Sequence, residues 1–201
     1  MLLEGRNLGW RYAGGLWLFN HFNIAIQPGE VVGLIGPSGS GKTSLGRLLA
    51  GYMKPITGEV LVDGRNKNNQ GSDPVQMIFQ HPERAVNPRW RMEKTITEGW
   101  SPDAALLEAL GIKAQWLRRF PNELSGGELQ RCCIARALGP DTKFLIADEM
   151  TTMLDAITQA QIWQKVLEIA HARQIGLLII SHDHTLVNKI CNRTISFSSE
   201  H

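Results

Sequence analysis

Nine consecutive residues, Gly36, Pro37, Ser38, Gly39, Ser40, Gly41, Lys42, Thr43 and Ser44, constrain the fold of this chain more than any other stretch. Gly36, Gly39 and Gly41 let the backbone curl so that successive N–H groups point inward, the arrangement that cradles a triphosphate. Lys42 adds a mobile positive charge for the β- and γ-phosphates, and the Thr43 hydroxyl can ligate Mg²⁺. Such a loop needs a strand before it and a helix after it. Residues 30–35 form an apolar, strand-like run, and residues 45–50 a helix-like run whose N-terminus would face the anion. The chain is expected to bind a nucleoside triphosphate.

Around this loop the sequence alternates strand and helix patterns. Residues 8–12 and 16–19 read as strands with a Gly14-Gly15 hairpin signal between them, and residues 23–26 as a third strand. Trp10 and Tyr12 fall on one strand face, packing on the core or stacking on a base. Further strands are expected at 59–62 and 75–79, and residues 65–73 are polar and loop-like. From His81 to Asn122, Pro82, Pro88, Pro102 and Pro121 punctuate a segment with short helices at 103–110 and 113–119. It reads as a helical insertion, too short for a core of its own. With the helix expected at 125–138 it makes a helical subdomain over 81–139 within a single 201-residue domain. Runs at 143–147 and 176–180 are continuously apolar, as strands of a parallel sheet are. Between them Ile162, Val166, Ile169 and Ala170 mark one helix face. A short helix at 185–191 and a strand at 194–197 complete an α/β chain with a mostly parallel core sheet and an N-terminal antiparallel β region.

Composition narrows the classes. Apolar content of 43% and charged content of 20% are ordinary for a globular protein, and a net charge of +2 without a basic run does not argue for nucleic acid. Cys132, Cys133 and Cys191 lack a C-x-x-C spacing, so neither a disulfide framework nor a zinc site is expected, and a reducing compartment is. The first residues carry no apolar stretch of the signal-peptide kind, and no run approaches the ~20 apolar residues that cross a bilayer. A membrane role would come through partners.

Two further stretches carry chemistry. The apolar run ending in Asp148-Glu149 places one carboxylate to hold Mg²⁺ and a second, differently directed, to polarise an attacking water. Ser125 with Glu128 three residues later is a helix capping box. Capping alone does not require Gly126 and Gly127, which weaken a helix unless the backbone must approach something closely. A helix N-terminus with a serine hydroxyl and two glycines is a second anion site.

Residues 125–130, Ser-Gly-Gly-Glu-Leu-Gln, resemble the signature motif of ATP-binding cassette (ABC) ATPases. The other cassette motifs stand in the family's order: the P-loop, Gln80 as the Q-loop, Asp148-Glu149 as Walker B, Met153-Leu-Asp155 as the D-loop and His182 as the switch histidine. Tyr12 sits where the family has its base-stacking aromatic. The resemblance implies a P-loop NTPase in which two cassettes pair head to tail. ATP on Lys42 and the loop amides of one would meet Ser125, Gly126, Gly127 and Glu128 of the other. It further implies Mg²⁺ on Thr43, Gln80 and Asp148, water oriented by Glu149, γ-phosphate contact by His182 and communication between subunits through Asp155. Residues 81–89, with Asn87-Pro88-Arg89, are similar to the segment after the Q-loop in ATPases of peptide and nickel importers. That likeness implies membrane permease subunits as partners, a substrate-binding protein acting indirectly, and a place at the cytoplasmic face of the cell membrane.

Met150 departs from the proline usual after the Walker B glutamate, and Thr151-Thr152-Met153 from the commoner Thr-Ser-Ala run. Neither removes a catalytic atom. The nineteen residues after His182 lead to the expectation of no iron–sulfur cluster and no effector domain. Other functions open to such a cassette are a soluble ATPase of DNA repair or translation, whose relatives carry long insertions or paired cassettes, and a non-hydrolysing sensor, against which Glu149 and His182 argue.

Overall fold

The computed structural model describes residues 1–66, 73–152 and 154–197. In chain order the elements are β1 (Leu3–Trp10), β2 (Phe19–Ile26), β3 (Val31–Ile35), α1 (Lys42–Leu49), β4 (Thr57–Val62), β5 (Arg65–Asn66), β6 (Val75–Ile78), α2 (Met92–Ile96), α3 (Ala104–Ala109), α4 (Ala114–Leu117), α5 (Gly126–Ala137), β7 (Phe144–Asp148), α6 (Ala156–Ala172), β8 (Gly176–Ile180), α7 (His184–Ile190) and β9 (Arg193–Ser196). An antiparallel sheet runs β2-β1-β4-β5 and a parallel one β6-β7-β8-β3-β9. Most of the segment expected to be loop at 65–73, residues 67–72, lies outside the described residues, as does Met153.

The N-terminal region departs from the sequence reading. Residues 16–18 are not a strand, and Leu16 is exposed. The second strand instead runs unbroken from Phe19 to Ile26. The polar stretch Asn20-His21-Phe22-Asn23 that suggests a break is a bulge held by side-chain amides. His21 has φ 53°, Asn20 Oδ1 accepts from His21 N at 3.1 Å, and Asn23 Oδ1 accepts from Asn7 N at 2.9 Å. Asn7 itself has φ 49°, and the register shifts between Gly5 and Leu8. This extra residue breaks the period-2 alternation, so Leu3 and Leu8 both reach the core although an odd number of positions separates them.

The parallel sheet is covered on both faces, and alternate residues of its central strands divide between two cores. Leu145 and Ala147 of β7 and Leu177 and Ile179 of β8 join α5 and α6. Ile146, Leu178 and Ile180 join α1 and the antiparallel sheet. Two buried faces leave no polar positions, which is why both strands read as continuous apolar runs. Between β6 and β7 lie the helices α2 to α5. Met92 and Ile96 of α2 are fully buried one turn apart, and Met92 N donates to Arg119 O at 2.9 Å. The reading missed this helix because five residues are too few to show a period. Cys132 and Cys133 are buried in α5, where loss of solvation pushes their thiols up to about 12 and about 11. Cys191 caps the end of α7 and is half-buried. Among the described residues no helix is long and apolar enough to cross a membrane.

Candidate active site

All five parallel strands end at one edge, and the crevice outside the carboxyl ends of such strands is where α/β sheets bind ligands. The loop after β3 opens with Gly36, where a β-carbon would lie 2.1 Å from the Phe197 carbonyl oxygen beyond β9. It closes with Gly41 at φ 102°, the residue preceding α1. Between them the chain wraps around the Lys42 ammonium. Nζ donates to Gly36 O at 2.8 Å and to Pro37 O at 2.7 Å, and the side chain is buried. Pro37, Ser38 and Gly39 are exposed, while Ser40 and Ser44 are buried. Ser40 Oγ has no hydrogen-bond partner among the described residues. A buried hydroxyl lacking a partner in a glycine-rich loop that leads into a helix fits a phosphate oxygen.

Across the loop from α1 stands the end of β7. Thr43 Oγ1 donates to Asp148 Oδ1 at 3.1 Å. Burial pushes the Asp148 carboxyl above its usual range; the Thr43 bond, Arg47 and Lys42 draw it back, and Glu149 adds to the rise. A hydroxyl and a carboxylate at this distance are hard oxygen donors of the kind Mg²⁺ takes beside phosphates. Gln80 is exposed two residues beyond β6, and the register Ile78↔Ala147 carries it to the same edge as Asp148.

Glu149 turns out of the strand. Its φ is 49°, an uncommon conformation for this residue type, and its N–H donates to Ile180 O at 3.0 Å. Oε1 accepts from His182 N at 3.1 Å and lies 2.8 Å from His182 Nδ1. With Nδ1 donating to the carboxylate, Nε2 faces outward. Oε2 is buried and has no partner among the described residues. Tyr12 lies on the β1–β2 connection with its ring edge on Trp10, centroids 6.4 Å apart. That connection ends at Leu18, whose Cβ is the near neighbour of a β-carbon placed on Gly41, 3.1 Å away.

The remaining expected residues form a separate group. Ser125 and Glu128 make the reciprocal capping box at the start of α5: Glu128 N to Ser125 Oγ at 3.3 Å and Ser125 N to Glu128 Oε2 at 2.8 Å. With Gly126, Gly127 and Asp155 they line an open groove of ≈ 520 Å³, walled further by Lys113, Trp116 and Leu154. Asp155 caps α6, accepting from Thr158 N at 3.0 Å and Ile157 N at 3.1 Å, and these bonds hold its carboxyl below the usual range. A β-carbon on Gly126 would meet open space, whereas one on Gly127 would lie 2.8 Å from Leu154 Cδ2. The structure thus joins Lys42, Thr43 and Asp148 into one cluster and Glu149 and His182 into a pair at the same edge. Residues 125–128 and 155 line the other groove.

Sequence reasoning did not single out Gln130, which is buried on α5, or the buried bond from Trp163 Nε1 to Thr151 Oγ1 at 3.0 Å. The available signal for Gln130 was a polar residue on the face shared by Cys133, Ile134 and Ala137, at i+3, i+4 and i+7.

The family model for the ABC transporter matches residues 19–152. Over 221 aligned positions the chain is 34% identical to the nickel import ATP-binding protein NikE of Pseudomonas putida, covering 96% of this chain and 81% of that protein. It is 38% identical to the dipeptide transport ATP-binding protein DppF of Lactococcus lactis subsp. cremoris, over 87% of this chain and 63% of the relative. The dimeric structure of MJ0796, a bacterial ABC transporter cassette, superimposes with a TM-score of 0.81 at 24% identity, over 97% of this chain and 94% of that one. The chain belongs to the ABC transporter family.

Proposed function

We propose that this chain is the ATP-hydrolysing subunit of an importer for peptides, nickel or a metal chelate, a single cassette with residues 81–139 as its helical subdomain. The observation that carries the reading is the Glu149–His182 pair at the same strand edge as the Thr43–Asp148 pair and the Lys42 loop. Lys42 and the amides of residues 36–44 bind the triphosphate, and the exposed Tyr12 ring stacks on the base. Thr43, Asp148 and Gln80 would hold Mg²⁺, which when bound neutralises charge on the β- and γ-phosphates. Glu149 Oε1 is engaged twice by His182, which leaves Oε2 to take the proton of the attacking water. The water oxygen bonds to the γ-phosphorus as the bridge to ADP breaks, and His182 Nε2 meets the γ-phosphate.

The groove of Ser125, Gly126, Gly127 and Glu128 completes the site of a second cassette, identical or paralogous, with Asp155 at the junction. ATP then closes the pair and hydrolysis releases it, a population shift driven by differential binding. The exposed turn at Asn87-Pro88-Arg89, in which Arg89 N donates to Asn87 Oδ1 at 2.9 Å, is the side presented to the permease. The names of the relatives support nickel or peptide cargo. The permease holds the subunit at the cytoplasmic face of the membrane; a substrate-binding protein contributes only indirectly, and nucleic acid takes no part.

A Glu149→Gln variant tests this. It should bind ATP normally, lose about 10²- to 10⁴-fold in turnover, and persist as a closed complex. Purified with Mg²⁺-ATP from detergent-solubilised membranes of its host, it should bring multi-span membrane proteins with it. Recovery of only soluble partners or nucleic acid would overturn the importer reading.

A further inference from the structure

Gln130 touches neither nucleotide-binding group, yet it joins them. It lies on α5 just after the capping box, and the residue is 3% exposed. Nε2 donates to the carbonyl oxygen of Phe79 at 3.3 Å. Oε1 is buried without a partner among the described residues. The helix around it supplies Leu129, Cys132 and Ile134 to the same core as Ile78 of β6 and Ala147 of β7. A methionine would fill such a place with no polar atom to satisfy. A buried amide with an orphaned oxygen is costly to keep, and such groups call for an explanation other than packing.

The explanation lies in what Phe79 precedes. Its carbonyl and the Gln80 N–H belong to one planar peptide unit, so fixing the carbonyl fixes the direction in which Gln80 leaves β6. We propose that Gln130 is a positioning residue that pins the Phe79–Gln80 peptide to α5, so that the placement of Gln80 follows the position of the helix that begins at Ser125. Two binding surfaces 45 residues apart in sequence, at Gln80 and Ser125, are thereby coupled within one chain. The incomplete bonding suits this task. A second N–H and the orphaned Oε1 can take up new partners as the helix shifts, so the pin can move without a net loss of bonds. This inference rests on the reading of Gln80 as a residue of the nucleotide site.

A double-mutant cycle tests it. Gln130→Met keeps the volume and removes the donor. It should lower kcat by about tenfold to a hundredfold, the scale of a small misplacement, and weaken half-saturation by Mg²⁺, with the Kd for a fluorescent ATP analogue unchanged. In a Gln80→Ala background the same substitution should have no further effect. If Gln80→Ala alone leaves kcat and Mg²⁺ half-saturation unchanged, the reading of Gln80 fails. If Gln80→Ala is impaired and Gln130→Met adds its full effect, the coupling fails. A lowered melting temperature with unchanged kcat assigns Gln130 to packing and also overturns it. A measurement on the unmodified chain stands apart from the folding of any variant. The Gln130 Nε2 proton resonances should be protected from solvent and should shift when Mg²⁺ and a non-hydrolysable ATP analogue are added. Resonances that do not respond would refute the proposal.

Discussion

Gly127→Ala separates two reasons for a glycine at the start of α5. A β-carbon there would lie 2.8 Å from Leu154 Cδ2, against about 3.5–4.0 Å for a relaxed carbon pair, so the leucine tip must retreat by roughly 1 Å. Leu154 is only half-buried and has room to turn. An off-rotamer adjustment costs of order 0.5–1.5 kcal/mol, and alanine in a helix gains up to about 1 kcal/mol over glycine. The two nearly cancel, so stability should change by less than about 1 kcal/mol, or ~4 °C in melting temperature for a chain of this length. If the groove at Ser125 takes a partner's triphosphate as proposed, turnover should fall at least about tenfold, because the methyl group would narrow that groove beside Leu154. Gly126→Ala meets nothing within its own chain, so a similar loss of turnover there would isolate the contact between subunits. Melting curves and ATPase rates would be measured for both variants and for Gly127→Ala/Leu154→Ala. The double variant relieves the contact with Leu154, at some cost in packing, and should not regain activity. If it regains activity, Gly127 serves Leu154 alone and the contact across the dimer is wrong.

Two further substitutions test the interior. Burial raises the Asp148 carboxyl above its unfolded value, so the folded chain binds its proton more tightly and this charge opposes folding increasingly as pH rises through that window. Asp148→Asn should therefore raise the melting temperature at pH 7.5, with the gain shrinking as pH falls through the carboxylate range, while abolishing Mg²⁺-dependent turnover; a gain that grows in acid would contradict the sign. Thr151→Val leaves the buried Trp163 indole N–H without an acceptor, at about 1–3 kcal/mol. Urea unfolding should show that loss, and Trp163→Phe in the Thr151→Val background should recover part of it.

The parts of the site legible in the sequence are those where local spacing dictates geometry. A glycine-rich turn between an apolar strand and a helix can be little else, and an apolar run ending in two carboxylates places both at a strand's end. What was not legible depends on residues far apart in the chain. The pairing of Asn7 with Asn23 turns an apparent strand break into a bulge. The fully buried Met92 and Ile96 make a helix of a five-residue segment because α5 and Arg119 O receive it. The glycine pair at 126–127 was read as one feature, although the structure gives its members different surroundings. Gln130 reads only as the last residue of the signature-like stretch, because a glutamine in a helix has no evident separate role until its neighbours show that it is buried.

The adjacent carboxylates acquire different tasks from their surroundings rather than from their chemistry. Asp148 is still part of β7, is 3% exposed, and has one oxygen committed to Thr43. That bond places it beside the residues that face phosphate, which suits a metal ligand. Glu149 leaves the strand through a positive φ, and this turn brings Oε1 onto both donors of His182. With one oxygen held twice, the carboxylate cannot rotate freely, so the other oxygen keeps a fixed direction before any water arrives. Preorganisation of this kind would make Glu149 an effective base in the proposed mechanism, because nothing must reorient as charge develops. In the proposed mechanism His182 would act through that constraint as well as through its outward Nε2. The catalytic half of the proposed site would therefore be set by a single chain, whereas the groove at Ser125, with no triphosphate-binding loop beside it among the described residues, would come into use when a second cassette brings one.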